Sequence, residues 1–223
     1  MENTTCTNDI QIVFEDEDIL VINKPVGILS EDSPKGEKGI LTYLQNENRK
    51  TIYLLHRLDR EVGGVMVFAK NKKSASALST DIANGKFQKT YLAVTDGIPE
   101  GDEGVYKDLL FKDAKKNRSF VVNRMRKGVR EASLEYVILK KNEKNALMRV
   151  LLHTGRTHQI RVQFSSRKTP LTGDGRYGSR VRDCSIALHS HEISFNHPRT
   201  KEVVTFVSEP DFSAYPWNLG DVT

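Results

Sequence analysis

Short runs of β-branched and aromatic residues, each cut off by turn chemistry, recur from residue 11 to residue 207, and this pattern limits the chain to a strand-rich fold. Residues 11–25 read as strand, acidic turn at 15–18, and strand, closing on the turn Asn23-Lys24-Pro25-Val26-Gly27. Residues 65–69 (VMVFA) have the composition of a buried strand, and 89–94 resume strand character. Residues 133–139 and 146–152 form two more strands joined by the polar stretch 140–145, and 185–195 with 203–207 make a last pair.

Three segments read as helices: Ile40–Asn46, Lys72–Ala83 and 157–164. The second places Ala75, Leu78 and Ile82 on one face and stops at Asn84-Gly85. Strands interrupted by few helices predict an α+β fold, a mostly antiparallel sheet with flanking helices. We expect a polar tail over residues 1–10 and one domain over 11–223. Two lobes sharing a sheet would also suit this length. Cys6 and Cys184 provide neither a disulfide framework nor a CxxC metal site, which fits a reducing cytoplasm. No apolar run approaches the roughly 20 residues that span a bilayer, so no membrane partner is expected.

The net charge of +5 and pI near 9.1 favour a polyanionic partner. The excess is concentrated: Lys112, Lys115, Lys116, Arg118, Arg124, Arg126, Lys127 and Arg130 face one acid, Asp113, giving +7 in a single stretch and −2 elsewhere. A footprint for a phosphate backbone belongs there, unless the stretch is simply a solvated loop.

Four constellations can carry chemistry. In HRLDREVGG, beginning at His56, Asp59 stands between Arg57 and Arg60, and by itself reads as a salt-bridged surface carboxylate. In GRTHQIRV, beginning at Gly155, a helix starting at Thr157 would put His158 and Arg161 on one face. FQKTYLAV offers Tyr91 as a core aromatic or a stacking platform. GDGRYG, at residues 173–178, says only that the chain turns.

Together, in this order, HRLD, KTYLAV, GRTHQIRVQF, GDGRYG and IALHSHEISFNHP resemble the RluA-type pseudouridine synthases from about Val13 to Phe206. The resemblance implies a sheet built as two halves, with a central RNA-binding cleft that receives a flipped-out uridine. It makes Asp59 the catalytic carboxylate, Tyr91 the active-site tyrosine and Arg161 the arginine that pairs with Asp59. Leu188 would pack beside the base, and Arg57 would help fill the space the uridine leaves. His56, Arg156, His158 and Gln159, in the same motifs, become substrate-binding candidates. Where the family commonly has Thr-Ser-Gly after HRLD and two residues, this chain has Val62-Gly63-Gly64, an exchange expected to loosen the loop. Because only about ten residues precede the first strand, the S4 RNA-binding domain of many relatives is expected to be absent.

The implied reaction breaks the bond from C1′ to N1 of uridine and joins C1′ to C5, with no redox change, so no metal or organic cofactor is required. The partner is RNA, ribosomal or transfer, and the expected enzyme is a monomer. Two competitors remain: an RNA-binding protein without catalysis, and a metal-dependent hydrolase using His56, Asp59, Asp174, His189 and His191. No ligand spacing supports the latter.

Overall fold

The computed structural model describes residues 10–46 and 51–219, so Cys6 and most of the expected tail lie outside the described residues. The chain divides into two compact units, one formed by the residues up to Gln88 with Ser190–Ser208, the other by Lys89–His189 with the residues from Glu209 onward.

In the first unit, β1 (Gln11–Glu15) pairs with β2 (Ile19–Lys24), and β2 with β4 (Gly63–Ala69), all antiparallel. The short β3 (Tyr53–Leu54) adds to β4, and β10 (Leu188–Asn196) carries β11 (Val203–Val207). Alternate residues point to one face of a strand, so Ile19 and Val21, Val65 and Val67, and Ile193 and Phe195 form one apolar surface. Helix α2 (Lys72–Ala83) covers it with Leu78, while Ala75 and Ile82 pack at the margin, the face that the sequence spacing predicts. The side chain of Asn71 caps this helix by accepting the Ser74 N–H at 2.8 Å. Helix α1 (Ile40–Asn46) is a shorter element that buries Ile40 and Leu44.

A polar knot ties three parts of this unit together. Buried Asp18 accepts from Asn71 and Ser74 of the helix start and from Arg199 of the β10–β11 turn, at 2.5–2.9 Å. Burial pushes this carboxyl upward, but those three hydrogen bonds prevail and hold it at about 2. Next to it, the His197 ring sits 2.9 Å from Asp16.

The glycines at 63 and 64 do not loosen a loop. Both belong to β4 and are buried, with Gly64 in register with Lys24. Gly64 has φ +114, and a Cβ there would come 2.2 Å from the Ser190 carbonyl oxygen. A Cβ on Gly63 would lie 3.1 Å from that of Lys24. Bare backbone lets neighbouring strands approach, and this contact corrects the expectation of extra mobility.

The second unit orders its strands β5 (Gln88–Asp96), β9 (Asn145–Leu152), β8 (Val129–Lys141), β6 (Glu103–Asp113) and β7 (Arg118–Val122), every neighbouring pair antiparallel. The basic stretch is therefore the end of β6, all of β7 and the start of β8, with turns at 114–117 and 123–128, rather than one solvated loop. Helix α3 (Gln159–Ser166) packs on β6 and β7. Its Val162 joins Leu110, Ala132 and Tyr177, and its Phe164 meets the edges of Tyr106 and Tyr136 with ring centres 5.1 and 5.5 Å away. No helix among the described residues is long and apolar enough to cross a membrane.

Candidate active site

Asp59 lies in the loop between β3 and β4, and its backbone is pinned on both sides. Ser30 Oγ accepts the Leu58 N–H at 3.0 Å and donates to the Leu58 carbonyl at 2.8 Å. The Gly27 N–H reaches the carbonyl of Arg60 at 2.8 Å, and the Val62 N–H reaches that of Asp59 at 3.1 Å. The arginines that flank Asp59 are both engaged elsewhere, Arg57 by Glu31 and Arg60 by Glu37. His56 accepts the Val67 N–H on Nε2 at 3.1 Å, so its neutral ring carries the proton on Nδ1.

Beneath this loop lies a cation that sequence reasoning missed. Lys24 is 1% exposed, and its ammonium donates to the carbonyls of Pro25 and Ile28 at 2.9 and 2.7 Å, so that the turn after β2 wraps it. Burial lowers its pKa from 10.5 to about 8, against the opposing pull of Asp59 and Glu61. Between those values the unfolded chain binds the proton that the folded chain has lost. Stability therefore rises with pH through the window of about 8 to 10.5, by about 3 kcal/mol from this group. Urea unfolding at a series of pH values should show that rise in the native protein relative to Lys24→Met. Parallel curves for the two would refute it.

In the second unit, Arg161 is 3% exposed and bound along one edge by Asp174, with Nε to Oδ2 at 2.6 Å and Nη2 to Oδ1 at 3.0 Å. Asp174 is fully buried, and such a bidentate pair fixes the guanidinium plane. A guanidinium has five donors, so Asp174 does not exhaust it. Tyr177 completes the cluster: its ring centre lies 5.2 Å from the Arg161 guanidinium carbon, and its hydroxyl accepts the Ser119 N–H at 2.8 Å. Burial raises the pKa of this phenol.

His158 does not share a helical face with Arg161, because α3 starts one residue later and His158 stands at its cap in the left-handed region, φ 53. Both still meet at Tyr177, whose hydroxyl lies 2.9 Å from His158 Nδ1. The Gln159 amide is taken up by the preceding loop and by β8, accepting from Thr154 Oγ1 and Arg156 N and donating to the Ser133 carbonyl. Exposed Arg156 donates from Nε to the Glu131 carbonyl. Tyr91 and Leu188 are 7% and 6% exposed, on β5 and at the start of β10. Two residues before Tyr91, on the same side of the strand, is half-buried Lys89, whose pKa burial lowers. A Cβ at Gly155 would come 3.2 Å from its amine.

Residues 18–166 match the RNA pseudouridylate synthase family. The chain belongs to this family. Among relatives of these pseudouridine synthases, an uncharacterized RNA pseudouridine synthase of Aquifex aeolicus is 34% identical, over 93% of this chain and 72% of its own length. The ribosomal large subunit pseudouridine synthase C of Buchnera aphidicola subsp. Schizaphis graminum is 33% identical, over 90% and 67%. Two solved structures share the fold. Human RNA pseudouridylate synthase domain containing 4 superposes with TM-score 0.75 at 23% identity, covering 91% of this chain and 89% of the other. Human RNA pseudouridylate synthase domain containing 1 does so with TM-score 0.77 at 21% identity, covering 95% and 87%.

RNA pseudouridine synthases are isomerases, which sets the metal-dependent hydrolase aside. The geometry agrees: Asp174, a ligand that reading needs, has both oxygens committed to Arg161. The carboxylates and imidazole that come within 4.8 Å of one another among the described residues are Asp16, Asp18 and His197, none of which that reading used.

Proposed function

We propose that this pseudouridine synthase isomerises particular uridines of ribosomal or transfer RNA, with Asp59 as the reacting carboxylate on a flipped-out nucleotide. The observation that carries this reading is a carboxylate whose backbone is held on both sides while its arginine neighbours pair with Glu31 and Glu37. Asp59 acts as nucleophile at C1′ or as base on a ribose proton; in either route the bond from C1′ to N1 breaks, C1′ to C5 forms, the C5 proton leaves to solvent and N1 takes up a proton from solvent. Arg161, held rigid by Asp174, is the cation assigned to orient Asp59. Tyr91 and Leu188 clasp the faces of the base, and Arg57 fills the space it leaves.

Extruding a stacked uridine costs a few kcal/mol, which phosphate contacts offset. The seven exposed cations of residues 112–130 supply them. The ribosomal reading draws on the name of the Buchnera relative, and the transfer-RNA reading on the chemistry the two substrates share.

The test uses total RNA labelled with 5-tritiated uridine, taken from cells lacking the protein. The enzyme should release tritium, and mapping the new pseudouridines identifies the RNA. Binding without release would replace the reading by that of a silent RNA-binding scaffold. Exchanging Lys115, Lys116, Arg124 and Arg126 for Gln should weaken RNA binding by roughly ten- to a hundredfold at moderate salt and flatten its salt dependence. An unchanged affinity would move the backbone footprint elsewhere.

A further inference from the structure

Of the eight cations of residues 112–130, seven are exposed and one is not: Arg118, at the start of β7, is half-buried. Its guanidinium carbon lies 5.4 Å from the centre of the Phe120 ring and 4.9 Å from that of Tyr177, the ring that Arg161 also contacts. No carboxylate pairs with it among the described residues, and its Nε is buried without a hydrogen-bond partner. The acid in register with it across the hairpin, Asp113, spends Oδ1 on the Lys116 N–H at 3.0 Å.

Its backbone is equally fixed. Ser119 donates its N–H to the Tyr177 hydroxyl at 2.8 Å and its hydroxyl to the Thr157 carbonyl at 2.6 Å. On the other side Arg176 donates to the Asn117 carbonyl at 2.9 Å. A charged fork has therefore been partly desolvated, set close to two aromatic rings and left without a carboxylate partner among the described residues, beside the Arg161 cluster. A surface cation that serves only solubility needs none of these restraints. A planar fork restrained before binding suits one anion geometry above others, the two non-bridging oxygens of a phosphodiester.

We propose that Arg118 is a fixed phosphodiester receptor that grips the RNA strand beside the Arg161 and Tyr177 cluster, setting the register in which a nucleotide enters. This rests on the RNA pseudouridine synthase reading and deepens it. The exposed cations around it provide diffuse attraction, whereas Arg118 makes one localised contact.

Two probes separate the inference from the reading beneath it. With poly(U) in filter binding, Arg118→Gln should weaken binding about tenfold and reduce the slope of log affinity against log salt by about 0.7, the value of one single-strand phosphate contact. Arg118→Lys should restore the slope, since the charge returns, but not the affinity, since the fork does not. With tritiated total RNA, Arg118→Gln should raise the half-saturating RNA concentration. Unchanged poly(U) affinity and slope in Arg118→Gln would overturn the proposal, as would full rescue by Lys. Melting curves of both variants identify a folding defect, in which case the Lys variant alone decides through its affinity. A native enzyme that binds poly(U) through Arg118 yet releases no tritium would instead refute the catalytic reading.

Discussion

Exchanging Asp59 for Asn should reduce tritium release by about ten-thousandfold while leaving RNA affinity unchanged. The exchange preserves shape and removes the charge and basicity required by both the nucleophilic and the elimination route. The loop should keep its form, because the backbone and Ser30 hold it on both sides of Asp59. Asp59→Glu extends the group by one methylene, and a displacement of that size should still cost roughly a hundredfold. Normal release by Asp59→Asn would remove the carboxylate from the mechanism.

The second large effect concerns stability. Asp174→Asn leaves the Arg161 charge buried with its bidentate partner neutralised, and should lower the unfolding free energy by about 3–5 kcal/mol. Trp217, the only tryptophan, packs near Val94, Leu147 and Ala187 in the same unit and reports the transition in urea by fluorescence. The paired replacement Arg161→Met with Asp174→Leu should recover much of the loss without recovering tritium release, because the ion pair serves to position a charge and apolar packing can replace only its contribution to stability. A cost below about 1 kcal/mol for Asp174→Asn would show that the pair is not the fastener its burial implies.

What could be read beforehand follows from how each element is built. Helix α2 and β11 have the bounds their composition announces, and 65–69 is indeed buried strand, because regular apolar spacing records which face meets the core. The β6–β7 hairpin passed unnoticed because it buries little: in β6 only Tyr106 and Leu110 are fully covered, four residues apart among charges, and no alternation betrays the strand. The start of α3 was misplaced by the left-handed residue at His158, a conformation with no signature in a non-glycine residue. In the site, Asp59 and Arg161 stood out only through the joint order of motifs. Asp174 was hidden in a segment whose glycines advertise a turn, and its role exists only once tertiary packing brings it to Arg161. Lys24 is harder still, since a lysine buried to 1% contradicts the ordinary preference of that side chain.

The way the first unit is assembled from distant parts of the chain governs the order of events during synthesis. Its sheet and its polar knot need β10, β11, His197 and Arg199, which the ribosome delivers only after the entire intervening segment of roughly a hundred residues. At about 5–20 residues per second the N-terminal half waits on the order of 5–20 s with its central strand unsheltered, while the second unit has nearly everything it needs to fold. The loop carrying Asp59 has its own fasteners, Gly27 and Ser30, from the start, but the strand that follows it gains its β10 neighbour only at the end.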